Sequence, residues 1–220
     1  ASIRHSYQEL SKYLELSPPI LSRYMRGHVL PSYRRARKLH EKLLKITNFR
    51  EELKRLIVFN KQGFFDNTPI VSHITWLKLA ANYSLEKFAG RRVTKVLTAA
   101  VDGIPIATMI ASLLDVNIVI AKSTKEVGIE EFIEETYIPA DSAVVMSLFL
   151  PKGLIKKKDS VLIVDDVVRT GETIRALVSL VKKSKADVSG IYVLVSVGGE
   201  WRKNLNDIIS QYPVEVLVEL

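Results

Sequence analysis

Two kinds of apolar patterning divide the chain. From residue 93 onward, short unbroken apolar runs alternate with amphipathic stretches: residues 93–99, 116–121, 161–164, 188–197 and 213–220 read as strands, and 106–114 and 173–183 as helices. Unbroken apolar runs of this length fit strands of a parallel sheet buried on both faces. The segment 93–121 is then a βαβ unit. Residues 69–89 carry Ile74, Leu77, Leu79 and Ala80 at near-helical spacing and end at Gly90.

Before residue 60 the apolar positions recur at helical spacing only. Residues 7–16 place Leu10, Tyr13 and Leu14 on one face. Ser17-Pro18 reads as an N-cap followed by proline at the first helical position, and Gly27 ends the second helix at residues 18–26. Two short helices joined by so tight a turn bury Leu10, Leu14, Leu16, Leu21 and Tyr24, with small Ser11 where they cross. Pro19, Ser22, Arg23 and Arg26 are left facing outward. A third helix, 33–46, is cationic (Arg34, Arg35, Arg37, Lys38, Lys42, Lys45) with a stripe of Leu39, Leu43, Leu44 and Ile46. A fourth, 48–59, offers Leu53, Leu56, Ile57 and Phe59 to the small domain or to a second subunit. Gly, Asn and Asp interrupt the pattern over 60–68, which sets an expected boundary between domains 1–60 and 61–220.

Charge sharpens this division. The chain has 220 residues and a net charge of +8. Residues 1–60 hold 13 Lys/Arg against 5 Asp/Glu, a net of +8, so the remaining 160 residues balance to zero. An excess confined to one segment points to a nucleic-acid-binding module joined to a neutral one. Cysteine is absent, which excludes disulfides and thiolate metal sites. His5, His28, His40 and His73 show no metal-ligand spacing, so no metal site is expected. No apolar run is long enough to span a bilayer and no signal-peptide pattern opens the chain. The expectation is a cytoplasmic protein without a membrane partner.

The chemistry concentrates in residues 161–173, VLIVDDVVRTGET. Four apolar residues run into Asp165 and Asp166, a short loop 167–171 follows, and a helical pattern opens at Glu172. The carboxylates then stand at a strand's carboxyl end, where open α/β sheets bind ligands. The N–H groups of Thr170, Gly171, Glu172 and Thr173 are placed to cradle a phosphate. This stretch resembles the phosphoribosyl-pyrophosphate (PRPP) motif of the type I phosphoribosyltransferase fold. The resemblance implies that Asp165 and Asp166 hold ribose hydroxyls, and that Arg169, Thr170, Gly171, Glu172 and Thr173 hold the 5′-phosphate. It also implies Mg²⁺ as a companion of PRPP, with no cofactor otherwise required. Arg169 departs from the small or hydroxylic residue usual at its place, and bacterial purine repressors, which carry this fold without using it as an enzyme, tend to be basic there.

Upstream, VDGIPIA resembles the family's pyrophosphate loop, with Val101, Asp102 and Gly103 as contacts. Lys122 and Lys125 stand where the family places basic residues against pyrophosphate; two solvated lysines would read the same way. The Glu-rich stretch 128–141 (Glu130, Glu131, Glu134, Glu135) reads as a long flexible loop or hairpin with most carboxylates toward solvent. Lys156, Lys157 and Lys158 read as a solvated turn before the acidic strand, and MSLFLPKGLIKKKDSVLIVDD is similar to purine-repressor sequences. Trp201 lies where the family closes over a base, or else is a core or dimer contact.

The stretch ILSRYMRGHVLPS resembles the Cro/repressor-type helix-turn-helix, in the version found in archaeal regulators related to orotate phosphoribosyltransferase. Glu15 stands where many such turns have Gly. The resemblance implies double-stranded DNA as partner, with Pro19, Ser22, Arg23, Arg26, Arg34 and Arg35 as contacts, and a homodimer reading two half-sites. The expectation is therefore an α/β, parallel-sheet phosphoribosyltransferase fold preceded by a small all-α helix-turn-helix domain. It would serve as a transcription regulator sensing PRPP or a related nucleotide or sugar phosphate. The alternatives are an active purine, pyrimidine or orotate phosphoribosyltransferase with an appended module, and an RNA-binding regulator.

Overall fold

The computed structural model describes residues 6–46, 49–59, 65–139 and 144–220. It divides into two compact units, residues 1–55 and 56–220. The break falls five residues before the boundary expected at residue 60.

The first unit is helical: α1 (Tyr7–Leu14), α2 (Pro18–Met25), α3 (Tyr33–Ile46) and most of α4 (Phe49–Leu56). Ser6 and Glu9 form a reciprocal capping box that starts α1. Glu15 ends it in the left-handed region at φ 55°. Pro18 and Pro19 open α2, where the missing N–H groups would have been unpaired in any case. Leu10, Leu14, Leu16 and Leu21 form the buried core, backed by Tyr24, Leu39 and Leu43. The Ser11 hydroxyl donates to the Leu16 carbonyl and closes the turn between α1 and α2. Tyr13, on the face of Leu10 and Leu14 but not in the set expected to be buried, stays outside the core. It is 40% exposed, because Leu10 and Leu14 already fill the inward stripe of this two-turn helix. The side chains of Leu44, Lys45 and Ile46 lie outside the described residues.

The helix expected over 48–59 ends at Leu56. Val58 and Phe59 instead form β1, paired antiparallel with β2 (Phe65–Asp66). The β-branched pair Ile57-Val58 disfavours another helical turn, and Phe59 meets Phe65 with ring centroids 6.1 Å apart.

The second unit continues through α5 (Thr68–Val71), α6 (Ile74–Phe88), β3 (Lys95–Ala99), α7 (Ile104–Leu114), β4 (Asn117–Ala121), β5 (Phe132–Tyr137) and β6 (Met146–Pro151). It closes with β7 (Ser160–Val168), α8 (Glu172–Lys183), β8 (Asp187–Ser196), α9 (Glu200–Asn204), α10 (Asn206–Ile209) and β9 (Val214–Glu219). Five strands form a parallel sheet in the order β4-β3-β7-β8-β9. The chain moves outward from β3 to β4, returns to β7 on the other side of β3, and moves outward again. The order therefore reverses between β3 and β7, and open α/β sheets bind ligands at such a switch point. Ile174, Leu177, Leu180 and Val181 of α8 pack into the main core. Across the unit, Tyr192 of β8 donates its hydroxyl to the Ala80 carbonyl of α6 at 2.9 Å. Gly190 admits Phe88, since a Cβ there would fall 2.3 Å from the ring.

The expected α/β class holds, with local differences. The 69–89 helix is broken at Ser72 and His73, and Ile74 and Leu79 are exposed. β7 runs on through the acidic pair to Val168, so the loop expected from residue 167 is shorter. Parallel pairing of Asp165 with Val193 and Val167 with Val195 holds these residues in the sheet. The Glu-rich stretch is a hairpin, β5–β6, rather than an irregular loop. Glu130, Glu131 and Glu134 are exposed as expected, but Glu135 is half-buried. It accepts from the Ser179 hydroxyl and pairs with Lys183 at 2.7 Å, tying the hairpin to α8. The short helices α9 and α10 had no counterpart in the sequence pattern.

Candidate functional site

The site is built at the carboxyl ends of β3 and β7. Asp165 is 6% exposed and Asp166 half-buried. The Asp166 N–H donates to Asp165 Oδ1 at 3.1 Å, which turns the two carboxylates toward one region. Burial pushes the Asp165 carboxyl well above the usual range, and the neighbouring Asp166 adds to this. Burial raises Asp166 as well, and the charge of Asp102 works in the same direction on both. Asn67 opposes it on Asp166, donating its side-chain N–H to Oδ2.

The loop after β3 closes against this pair. A Cβ on Gly103 would stand 2.3 Å from Thr98 Oγ1 and 3.2 Å from Asp165 Oδ1, so only glycine lets this backbone lie beside the carboxylate. Val101 is 74% exposed, and the Ala100–Val101 peptide is cis.

Beyond β7 the chain wraps a cavity of about 220 Å³. Its lining includes Asp165, Arg169, Thr170, Gly171, Glu172 and Thr173, with Tyr137 and Pro139 contributed by the hairpin strand and its extension. Gly171 is the N-cap of α8 at φ 98°. Its position is tight on one side, since a Cβ would lie 2.7 Å from Leu205. The first-turn N–H groups of α8 thus open toward the cavity, where they and the helix dipole favour an anion. The Thr170 hydroxyl donates to Glu172, and the Thr170 carbonyl accepts from the Asn204 amide at 3.0 Å. Asn204 is in turn held through its own carbonyl by Arg175, which makes two further bonds to Asp207 at 2.7 and 2.8 Å. This pairing holds the Asp207 carboxyl down at about 2.

All seven residues expected at the ribose phosphate therefore lie in one place, with six of them, all but Asp166, on the cavity wall. Gly103 and Asp102 adjoin the acidic pair. Lys122 and Lys125 do not line the cavity. Lys122 pairs with Glu126, and Lys125 pairs with Glu134 at 3.6 Å and lies 4.9 Å over the Phe149 ring. Trp201 is settled as a core residue: it is 3% exposed, its ring covered at 4.4 Å by the Arg202 guanidinium. Sequence reasoning missed Asn67, Arg175, Asn204, Leu205 and Asp207. Nothing in their local pattern marks them, because each acts across a distance set by the fold.

In the first unit, Pro19, Arg23, Arg26, Arg34 and Arg35 are exposed and Ser22 is half-buried. Glu15 pairs with Lys42 at 2.9 Å, so the α1–α2 turn is also tied to α3. Among the described residues, no group of three or more His, Asp or Glu side chains is arranged to hold a metal ion, and no helix is long and apolar enough to cross a membrane.

Residues 65–212 match the phosphoribosyl transferase domain. Over 148 residues the chain is 30% identical to the purine biosynthesis transcriptional repressor PurR of Bacillus subtilis, covering 67% of this chain and 52% of that protein. Over 114 residues it is 34% identical to the xanthine phosphoribosyltransferase of Clostridium acetobutylicum, covering 51% of this chain and 60% of that one. The crystal structure of the adenine phosphoribosyltransferase of Rhodothermus marinus superposes with a TM-score of 0.68 at 26% identity, over 78% of this chain and 98% of that one. The chain spans about half the length of the PurR relatives it matches. With four of its five parallel strands, the acidic pair and the start of α8 falling within the matched residues, the chain belongs to the phosphoribosyl transferase domain family.

Proposed function

We propose that the protein is a DNA-binding transcription regulator whose phosphoribosyltransferase-fold unit senses PRPP or a related nucleotide or sugar phosphate. One observation carries this reading: the whole net charge of +8 lies in the helical segment before residue 60, while the ligand-type cavity belongs to an electrically balanced unit. Residues 1–60 serve as the helix-turn-helix domain. Pro19, Ser22, Arg23 and Arg26 on α2 reach base edges or phosphates, and Arg34 and Arg35 supply phosphate contacts. A single unit of this kind makes few base contacts, so a homodimer reading two half-sites is part of the proposal. The similarity to PurR, a purine biosynthesis repressor by name, supports a regulatory role and a cytoplasmic setting.

In the sensor, Asp165 and Asp166 accept from the ribose hydroxyls. The backbone of Thr170 to Thr173 receives the 5′-phosphate, with Arg169 on the same wall. Val101, Asp102 and Gly103 face the pyrophosphate. Mg²⁺ accompanies PRPP as part of the ligand, held chiefly by the ligand's own phosphate oxygens and water, with no three-carboxylate protein site required. Lys122 and Lys125 serve the pyrophosphate only by leaving Glu126 and Glu134, which weighs toward sensing.

A phosphoribosyltransferase on a purine, pyrimidine or orotate is the second reading, favoured by the intact acidic pair and by similarity to xanthine phosphoribosyltransferases. Transfer assays on a panel of these bases, run beside binding to the protein's own promoter DNA, separate the two. The proposal expects DNA binding and no turnover at an enzyme-like rate. Absence of DNA binding at low salt, or clear turnover, overturns it.

A further inference from the structure

Asn67 stands far from the acidic motif in sequence and lies outside every pattern that points to the site. Its side-chain N–H nevertheless donates to Asp166 Oδ2, a contact spanning 99 residues. Asparagine at a helix start ordinarily turns its side chain onto its own helix. Asn67 is the N-cap of α5 and makes no such bond. Asp66 takes the Thr68 N–H instead, at 2.9 Å, which leaves the Asn67 amide to the carboxylate. The residue before Asn67 pairs with Val58, and Val58 follows the end of α4 by two positions. Following the chain out of α4, one strand pairing and one side-chain hydrogen bond thus lead to Asp166.

A ribose diol offers Asp166 the same kind of donor that Asn67 already supplies. We propose that Asn67 is a latch: the ligand's ribose hydroxyl displaces its amide from Asp166 and so loosens the β1–β2 pair that leads out of α4. This rests on the ribose-phosphate reading of the site. Coupling of this form is reciprocal: whatever withdraws Asn67 from Asp166 also raises affinity for the diol.

Amide hydrogen exchange across β1 and β2 tests this in the full chain, with Asn67→Asp as the main variant and Asn67→Ala as the second. Aspartate keeps the shape and the helix-capping capacity of Asn67 but has no donor for Asp166. Without ligand, both variants should exchange faster than the native protein across β1 and β2, with α6 and β8 unchanged. With Mg²⁺-PRPP, the native hairpin should speed up to the level of Asn67→Ala, and Asn67→Ala should bind PRPP about threefold to tenfold more tightly. Unchanged exchange in the ligand-free variants overturns the latch, whatever PRPP does. So does a PRPP response at the hairpin that survives in Asn67→Ala. If native protein fails to bind PRPP while the ligand-free variants loosen the hairpin, the Asn67–Asp166 tie stands, and the ribose-phosphate reading and the displacement fall together.

Discussion

Asp165 is a buried carboxylate set against two others, and its surroundings push its proton affinity up. A carboxyl whose folded pKa is raised above the unfolded value loses stability as pH rises from the ordinary Asp range through the folded value. Asp165→Asn should therefore raise the melting temperature at neutral pH, with the gain shrinking toward pH 4, while removing the PRPP response. A variant less stable than native at pH 7 would contradict the assigned electrostatics. Gly171 has a different dependence, on space and backbone sign. With φ at 98° and Leu205 at 2.7 Å from any added Cβ, Gly171→Ala should destabilise by about 1–3 kcal/mol in urea titration and weaken PRPP binding. The acidic pair and the loop into α8 were legible in the sequence because their chemistry is local: a strand end, a turn and a helix start in thirteen consecutive residues. Asn67, Asn204 and the Arg175–Asp207 pair were not. They stabilise the same loop and carboxylates from other elements, and only the fold brings them there.

At the scale of elements, burial decided what pattern could not. The unbroken apolar runs gave the parallel strands, since a strand covered on both faces has no polar alternation to mistake. The same run could not say where β7 ends, because its pairing with β8 carries two aspartates into the sheet. Trp201 likewise belonged to the core for a reason outside its own segment, the packing of Trp201, Leu205 and Ile208 into the main core with α8. The hairpin β5–β6 is anchored by Glu135. Against the burial that pushes it up, Lys183 and Ser179 hold this carboxyl below its usual value. Such a group contributes stability above the unfolded pKa and loses it as pH falls through the folded one. Glu135→Gln should therefore speed amide exchange in β5 and β6 at pH 7 and make little difference at pH 3. Equal effects at both values would show that the ion pair does not hold the hairpin. On α2, Arg23→Ala should cost about tenfold in operator affinity and relax sequence preference. Replacing exposed Arg34 should instead weaken binding to all sequences alike and lower the salt slope by about one.

For the whole molecule, the unequal distribution of charge is the governing fact. A basic helical unit and a neutral unit of the phosphoribosyl transferase domain family occupy one chain, and the account joins them as reader and sensor. A ligand switches such a protein only by preferring one of its conformations; tight binding without preference changes nothing. Fluorescence anisotropy of promoter DNA, titrated with native protein and with the double variant Asp165→Asn, Asp166→Asn, in the presence and absence of Mg²⁺-PRPP, measures that preference directly. PRPP should shift the native protein's DNA affinity by at least about fivefold, the lower end of ordinary allosteric coupling, and leave the variant's unchanged. Equal DNA affinity of the native protein with and without PRPP, at a concentration that saturates the site, would contradict it.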